Sequence, residues 1–434
     1  MIRIIVTVKV FREEISMIFK TAEAKGYIKK LTSILLAVAL IMLVTISFTA
    51  CDDEENNGTT TDEGSEDNGT DLSNEDEQPA ELTPQRVGFI YSGQIEGSSH
   101  NKMWEDARAN LEMQLDADTF YVENVFISNF AEAVDLLVTY GVDVIISTSH
   151  FFANAVEIES VNHRNIVFIS FGGETVSPNL IAFVSHLYQP AHVAGFAAAH
   201  NTAVGVDSMG IILDSRMHNA HGVVNSFIQG AKFNFLAGVT IHVRLVNSRS
   251  VEEVRQAVDQ LIAEGNDTIF AYIDTEYAIT YAEQRGVNVV GFANNVPQLA
   301  PNNHIAGLYF NVNSYLVEQV RIIQNETFVP SVTRGALSTG HVRLSAINAD
   351  PMVVEPETHD LAGLIHERVS EGTAAIFAGE IMDNHGEVQV PNGVTLTSRE
   401  ILDLNWFEHS IGGNIHNLTV PIANLPIVPL IIAR

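Results

Sequence analysis

A single cysteine, Cys51, stands in 434 residues. No intrachain disulfide can staple this fold, and thiol catalysis within the folded part is excluded. Basic residues are also scarce: 23 Lys and Arg against 53 Asp and Glu give a formal net charge of −30. That balance argues against nucleic acid as a partner. Catalytic signatures are missing as well, with no Walker-type phosphate loop, no G-x-S-x-G elbow and no His-Glu-x-x-His. Gly172-Gly173 follows a strand-like run but lacks dinucleotide spacing, and a turn accounts for it. Sixteen histidines raise the question of metal. His218 and His221, three apart, could share a helical face, but they fall in a loop with no third ligand adjacent, so polar loop histidines are expected.

The surroundings of Cys51 are informative. Lys25, Lys29 and Lys30 precede Leu31–Ala50, which carries no charge and ends in the small pair Thr49-Ala50; Asp52-Asp53-Glu54-Glu55 follow. Positive flank, apolar run, small residues and cysteine is the layout of a lipoprotein signal, with the cysteine as the lipidated N-terminus after cleavage. A signal anchor is the alternative, because about 20 apolar residues suffice to span a bilayer. Phe48 stands where such signals carry Leu. Either way the bulk of the chain is exported and held at a membrane. Residues 1–50 are thus read as signal peptide, with Met17 an alternative start. From Asp52 to Glu81 there are thirteen acidic residues and no basic ones, so 51–85 is expected to be a disordered, extended tether.

From Arg86 onward, strand-like and helix-like segments alternate. Arg86–Tyr91, Val142–Ile146 and Ile166–Ser170 read as buried strands, separated by helical spacing at Met103, Ala107, Leu111 and Leu115 and by a helix over Ala131–Tyr140. A second series runs through strand Met209–Leu213, helix Gly222–Phe235, strand Thr240–Val246 and the amphipathic helix Val251–Glu264. It continues with strand Thr268–Ile273, helix Thr275–Gln284 and strand Val287–Phe292. Strands apolar on both faces and alternating with helices predict parallel sheets covered on both sides. Nearly 350 residues exceed what one core usually supports, so two doubly wound lobes are expected. Ligands of such sheets sit beyond the carboxyl ends of strands, here in a cleft shared by both lobes.

Polar and aromatic residues gather at those strand ends. Ser99, His100, Asn101 and Trp104 follow the first strand, and Ser149, Phe152 and Asn154 follow Val142–Ile146. Asp274 follows Thr268–Ile273, and Asn295 follows Val287–Phe292. Flat rings with amides and hydroxyls suit a planar heterocycle, stacked and hydrogen-bonded at its edge.

The segments Val-Gly-Phe-Ile-Tyr-Ser-Gly (87–93), Trp104-Glu105, Tyr-Val-Glu-Asn-Val (121–125), Tyr188-Gln189 with Ala194-Gly195, and Phe227 with Gly230-Ala231 carry a resemblance. So do Ala-Glu-Gly-Asn-Asp-Thr-Ile (263–269), Gly286-Val287 leading to Val290-Gly291-Phe292, Ile376–Gly379, Gly386 and Asn405-Trp406-Phe407 through Gly412-Gly413. In this order and spacing the chain resembles the basic membrane protein lipoproteins, the purine nucleoside receptor-like substrate-binding subunits of ABC transporters.

The resemblance implies a type I periplasmic-binding-protein fold, two lobes joined by three hinge crossings, with 86–207 and 308–336 in lobe 1 and 208–307 and 337–434 in lobe 2. It implies capture of a nucleoside or nucleobase-like ligand and handover to an ABC permease, by a non-enzymatic, lipid-anchored, extracytoplasmic protein. No cofactor, metal or nucleic acid is expected, and a monomer is. Members of the family hold the purine between two rings, with carboxylates on base edge and ribose. Here the first-lobe ring falls near His100, and carboxylate positions correspond to Asn154 and Asn295. Asp274 is retained, and Arg249 stands where the second-lobe ring would lie. Two other classes stay open: a ligand-sensing surface lipoprotein partnering a signalling receptor, and a nucleoside hydrolase using Ser99 and His100. The proline-interrupted tail Asn417–Arg434 lies beyond the resemblance and is expected to pack along a lobe.

Overall fold

Val87, Phe89 and Ile90 are fully buried in β1 (Arg86–Ile90). A strand apolar on both faces must be covered on both, and it is. Phe89 and Val87 join the large core beneath α1 (Ser99–Leu115), whereas Ile90 joins a separate cluster with Phe120, Phe130 and Phe168 under α2 (Phe130–Thr139). The structure, a computed structural model, describes residues 85–201, 208–232, 240–409, 411–412 and 430–433. The apolar run, Cys51, the acidic segment, residues 233–235 of the helix expected over Gly222–Phe235, and residues 417–429 and 434 of the tail lie outside them. All described residues belong to one compact unit, Pro79–Arg434. None of their helices is long and apolar enough to cross a membrane.

The first sheet continues with β2 (Asp118–Val122), β3 (Val144–Ser147), α3 (Ala153–Asn162), β4 (Val167–Phe171) and β5 (Leu180–Ser185). The chain then enters α4 (Tyr188–His200). The second sheet is built from β6 (Ser208–Leu213), α5 (Ala220–Lys232), β7 (Thr240–Leu245), α6 (Val251–Ala263), β8 (Thr268–Tyr272) and α7 (Tyr277–Arg285). It is completed by β9 (Asn288–Phe292), the short α8 (Val296–Leu299) and β10 (His304–Phe310). After α9 (Asn313–Gln324), β11 (Val332–Gly335) returns to the first sheet and β12 (Val342–Leu344) to the second. Then follow α10 (Pro356–Ser370), the hairpin β13 (Ile381–Met382) and β14 (Val388–Val390), α11 (Ser398–Leu402), β15 (Ile411–Gly412) and β16 (Ile432–Ala433).

Strand orders are β11-β5-β4-β3-β1-β2-β16 and β12-β10-β9-β8-β6-β7-β15. Every pairing within these sheets is parallel except β10–β12 and β16–β2. The expected pair of doubly wound sheets is therefore present, each reversing its order beside its first strand.

Three crossings join the sheets: β5 to α4, β10 to α9, and β11 to β12. They lie side by side. His186 N donates to Gly335 O (2.8 Å), Leu337 N to Gln189 Oε1 (2.9 Å) and Asn311 N to His341 O (2.8 Å). Sheet membership departs from the expected division at three places. Helix α4 lies against β10 and β12 of the second sheet, β10 stays in that sheet through Phe310, and β16 pairs with β2 of the first. Strand β5 has no counterpart among the expected strands, although Leu180–Ser185 is buried throughout.

Local signals set the helix ends. Ser98 caps α1 by accepting from Asn101 N (2.9 Å), and Ser250 caps α6, whose first turn carries Glu252 and Glu253. Helices α4 and α5 cross at glycines. A Cβ on Gly195 would lie 1.9 Å from Phe227 O, and one on Gly230 would lie 2.0 Å from His192 O. The three nearest atoms to each are backbone, so the helices themselves would have to separate. Gly195→Ala and Gly230→Ala are each expected to cost about 1–3 kcal/mol, seen as a lowered midpoint in thermal or urea unfolding. Unchanged midpoints would count against the close crossing.

Candidate ligand site in the interlobe cleft

The N-terminus of α1 follows β1 and the loop bearing Asp274 follows β8, so both project from carboxyl edges of their sheets toward each other. They meet directly. Asp274 accepts from Ser98 Oγ (2.8 and 3.0 Å) and from the His100 N–H (2.8 Å). A helix N-terminus presents unpaired N–H groups and partial positive charge, and a carboxylate satisfies both. Behind it, Arg249 donates Nη1 to Asp274 (2.8 Å) and Nε to Asp214 (2.5 Å). Asp214, 1% exposed, also takes Arg216 Nε and Nη2 (2.8 and 2.9 Å). Burial works against ionisation of Asp214, but the Arg216 hydrogen bonds and the Arg249 charge outweigh it and hold its carboxyl below the usual range. Arg249 has a left-handed backbone, φ 55°, a conformation uncommon outside glycine that the two carboxylates hold in place.

Two further contacts bridge the lobes along the same face of α1. Lys102 Nζ reaches Glu276 Oε2 (2.7 Å), and Asp106 Oδ2 accepts from Asn294 Nδ2 (2.9 Å). With Ser98 these residues recur every fourth position, the spacing that aligns side chains on one helix face. Asn295 joins by donating to Glu276 Oε1 (3.0 Å). Deeper in, the His100 ring packs on Phe171 (5.4 Å), Phe310 (5.5 Å) and Trp104 (6.4 Å), with its Nε2 on Thr148 O (2.7 Å).

Of the residues singled out in the sequence, His100, Arg249, Asp274 and Asn295 gather here. Ser99 and Trp104 are buried beside them, with Ser99 Oγ and Trp104 Nε1 making no hydrogen bond. Asn101 turns back into its own loop, giving Nδ2 to Gln94 O (3.0 Å). Ser149 caps the short helical turn that leads into α3. Asn154 is exposed on α3 and lines a small pocket with Ser170, Gly172 and Gly173. Phe152 departs from expectation: its ring is fully buried against Phe130 (4.8 Å) in the core under α2, turned away from the cleft. In a strand-to-helix connection only part of the residues can face the ligand side, and spacing alone does not say which.

Sequence reasoning missed Asp214, Arg216, Lys102 and Glu276. Asp214 obeys the strand-end rule, directly after β6, and was legible on that ground. His218 and His221 point apart, His218 onto His150 and Phe171 and His221 onto Phe407. Among the described residues no group of three or more His, Cys, Asp or Glu is arranged to hold a metal.

Two α/β lobes, three adjacent crossings and carboxyl strand edges that meet through polar contacts are the arrangement of the type I periplasmic-binding-protein fold. The chain belongs to the Bmp family, ABC transporter substrate-binding proteins of PnrA-like type, whose model matches residues 84–370. This is a family of binding proteins, not of enzymes. The chain is 21% identical over 311 residues to TsgA13 of Haloferax volcanii, provisionally named an ABC transporter glucose-binding protein, covering 71% of this chain and 78% of that one. Its fold is similar to the ABC transporter solute-binding protein of Aeropyrum pernix K1 (TM-score 0.60, 12% identity, 74% of this chain and 96% of that). It is also similar to that of Conexibacter woesei (TM-score 0.55, 16% identity, 67% and 97%). A transcriptional activator of the comK gene from Bacillus halodurans shares the fold too (TM-score 0.56, 18% identity, 66% and 98%).

Removing the Asp274 carboxylate leaves Ser98, the His100 N–H and one arm of Arg249 without their acceptor. A charged hydrogen bond contributes about 1.5–3 kcal/mol, so Asp274→Ala is expected to raise the open fraction of the ligand-free protein roughly tenfold or more. Interlobe distance measurements would read this, and an unchanged distance distribution would contradict it.

Proposed function

We propose that the protein captures a nucleoside, or a small heterocycle bearing hydroxyl groups, between its lobes and delivers it to an ABC permease. In this reading a lipid on Cys51 holds it at the outer side of a membrane. The observation that carries the ligand class is the junction of Asp274, Arg249 and Ser98. A carboxylate accepts from hydroxyls while guanidinium and serine donate, which suits a ribose-like diol. The rings around His100 are buried in this closed arrangement and would give an apolar surface for a base with the lobes apart. Membership of the substrate-binding family supports small-molecule capture.

The name of the Haloferax volcanii relative favours a second reading, a hexose, because vicinal hydroxyls satisfy the same carboxylate. Calorimetry with inosine, guanosine, adenosine and uridine against D-glucose and D-ribose separates the two. Nucleoside binding is expected, weakened about ten- to hundredfold by Asp274→Ala. Heat from glucose alone would replace the first reading with the second. For the anchor, cells expressing the full chain should incorporate labelled palmitate into it, and Cys51→Ser should abolish both label and membrane retention. A protein that stays in the membrane unlabelled would establish a signal anchor instead.

A further inference from the structure

Three imidazoles meet where the lobes close. His100 at the start of α1 and His150 after β3 come from the first lobe, and His218 after β6 comes from the second. The His150 and His218 rings lie 5.1 Å apart, and the Phe171 ring touches both His218 (5.1 Å) and His100 (5.4 Å). The backbone is fitted to this contact: a Cβ on Gly172 would strike His150 Cβ at 2.4 Å and approach His218 Cε1 at 3.5 Å. His218 Nε2 is buried with no hydrogen-bond partner, so a proton added there meets no acceptor. The carbonyl of the same residue is held by Tyr272 Oη (2.6 Å), which fixes the loop.

We propose that this His100–His150–His218 cluster makes lobe closure pH-dependent, holding the cleft closed at neutral pH and opening it as the imidazoles take up protons. Two like charges about 5 Å apart in a dry contact repel strongly, and opening restores their water. The charges facing the cluster do not cancel this. Asp274 and Arg249 act on His100 with opposite sign. His150 feels His218 and His100, and His218 feels His100. The other rings in contact, Phe171, Phe151, Trp104 and Phe310, carry no charge.

The titration behaviour agrees. Burial, then the neighbouring His100, pushes His218 down to about 4. Burial, then His218 and His100, holds His150 well below the ordinary imidazole range. Parting the lobes separates His218 from His150 and His100 and lets water reach the contact, so in the proposal these rings move back toward the ordinary value near 6.5. The open form therefore binds more protons, and closure is fully favoured above about pH 6.5. It weakens as pH falls below that value, and the loss is complete below about 4. For His218 alone the open-to-closed ratio should rise on the order of 30-fold between pH 8 and pH 5.

The test needs no ligand, so it is independent of which solute the cleft takes. The full chain, with Cys51→Ser, is labelled through Glu132→Cys on α2 and Gln256→Cys on α6, both exposed positions on opposite lobes. Energy transfer between the dyes is followed from pH 8 to pH 5. Transfer should begin to fall in the parent below about pH 6.5 and be clearly reduced at pH 5. The double variant His150→Phe/His218→Phe should hold its transfer across the range. His218→Gln, which keeps a neutral polar side chain, should lose most of the response, and melting curves at pH 8 establish that each variant folds. His100 of the cluster itself and His186, His192, His221 and His341, all depressed by burial, remain in every variant. An acid response that survives in the variants would take it away from the His150–His218 contact and overturn the proposal, as would a parent that stays closed at pH 5.

Discussion

The meeting of Asp274 with the N-terminus of α1 is the contact on which the closed arrangement depends. One element brings unpaired N–H groups and partial positive charge, the other a carboxylate already tied to Arg249. Each alone would have to keep its water. Together they turn two sheet edges into a single polar floor, and the Lys102–Glu276 and Asp106–Asn294 contacts extend it along the same helix face. Such contacts between charged and polar groups are strong only when desolvated. Closure therefore strengthens the bonds that close it.

In the proposed function, a ligand entering between the lobes competes with the protein's own groups. Hydroxyls that bond to Asp274 would replace Ser98 and the His100 N–H as donors, so the net gain is the difference between two well-made sets of bonds. If the ligand-free protein spends most of its time closed, apparent affinity falls by the fraction that is open. Selectivity then comes from how completely a ligand repays the displaced contacts, which favours ligands with adjacent donors over those offering a ring alone.

Much of the fold could be read from the sequence because its signals are local. The apolar runs at 142–146, 209–213 and 268–273 fall on β3, β6 and β8 to within two residues at most ends, and Val251–Glu264 coincides with α6. Strand β5 escaped because Leu180–Ser185 follows a turn-rich segment, with β4 rather than a helix before it. The site was harder. Strand ends pointed to His100 and Asp274, but which side of a connection faces the cleft depends on packing. Phe152 went into the core and Asn101 into its own loop. Pairings such as Asp214 with Arg249, 35 residues apart, exist only once the sheet has brought β6 and β7 together.

The way the described chain begins and ends has a practical bearing. It enters through β1 and finishes in β16, which lies in the same sheet with only β2 between them. Both ends thus belong to one moving body. A reporter fused directly to β1 or β16 shares the reference frame of the first lobe, and three adjacent strands of backbone connect that lobe to the second. Probes placed at the ends would be blind to the hinge. A signal of closure has to be sought on β6 to β10 and the helices that cover them.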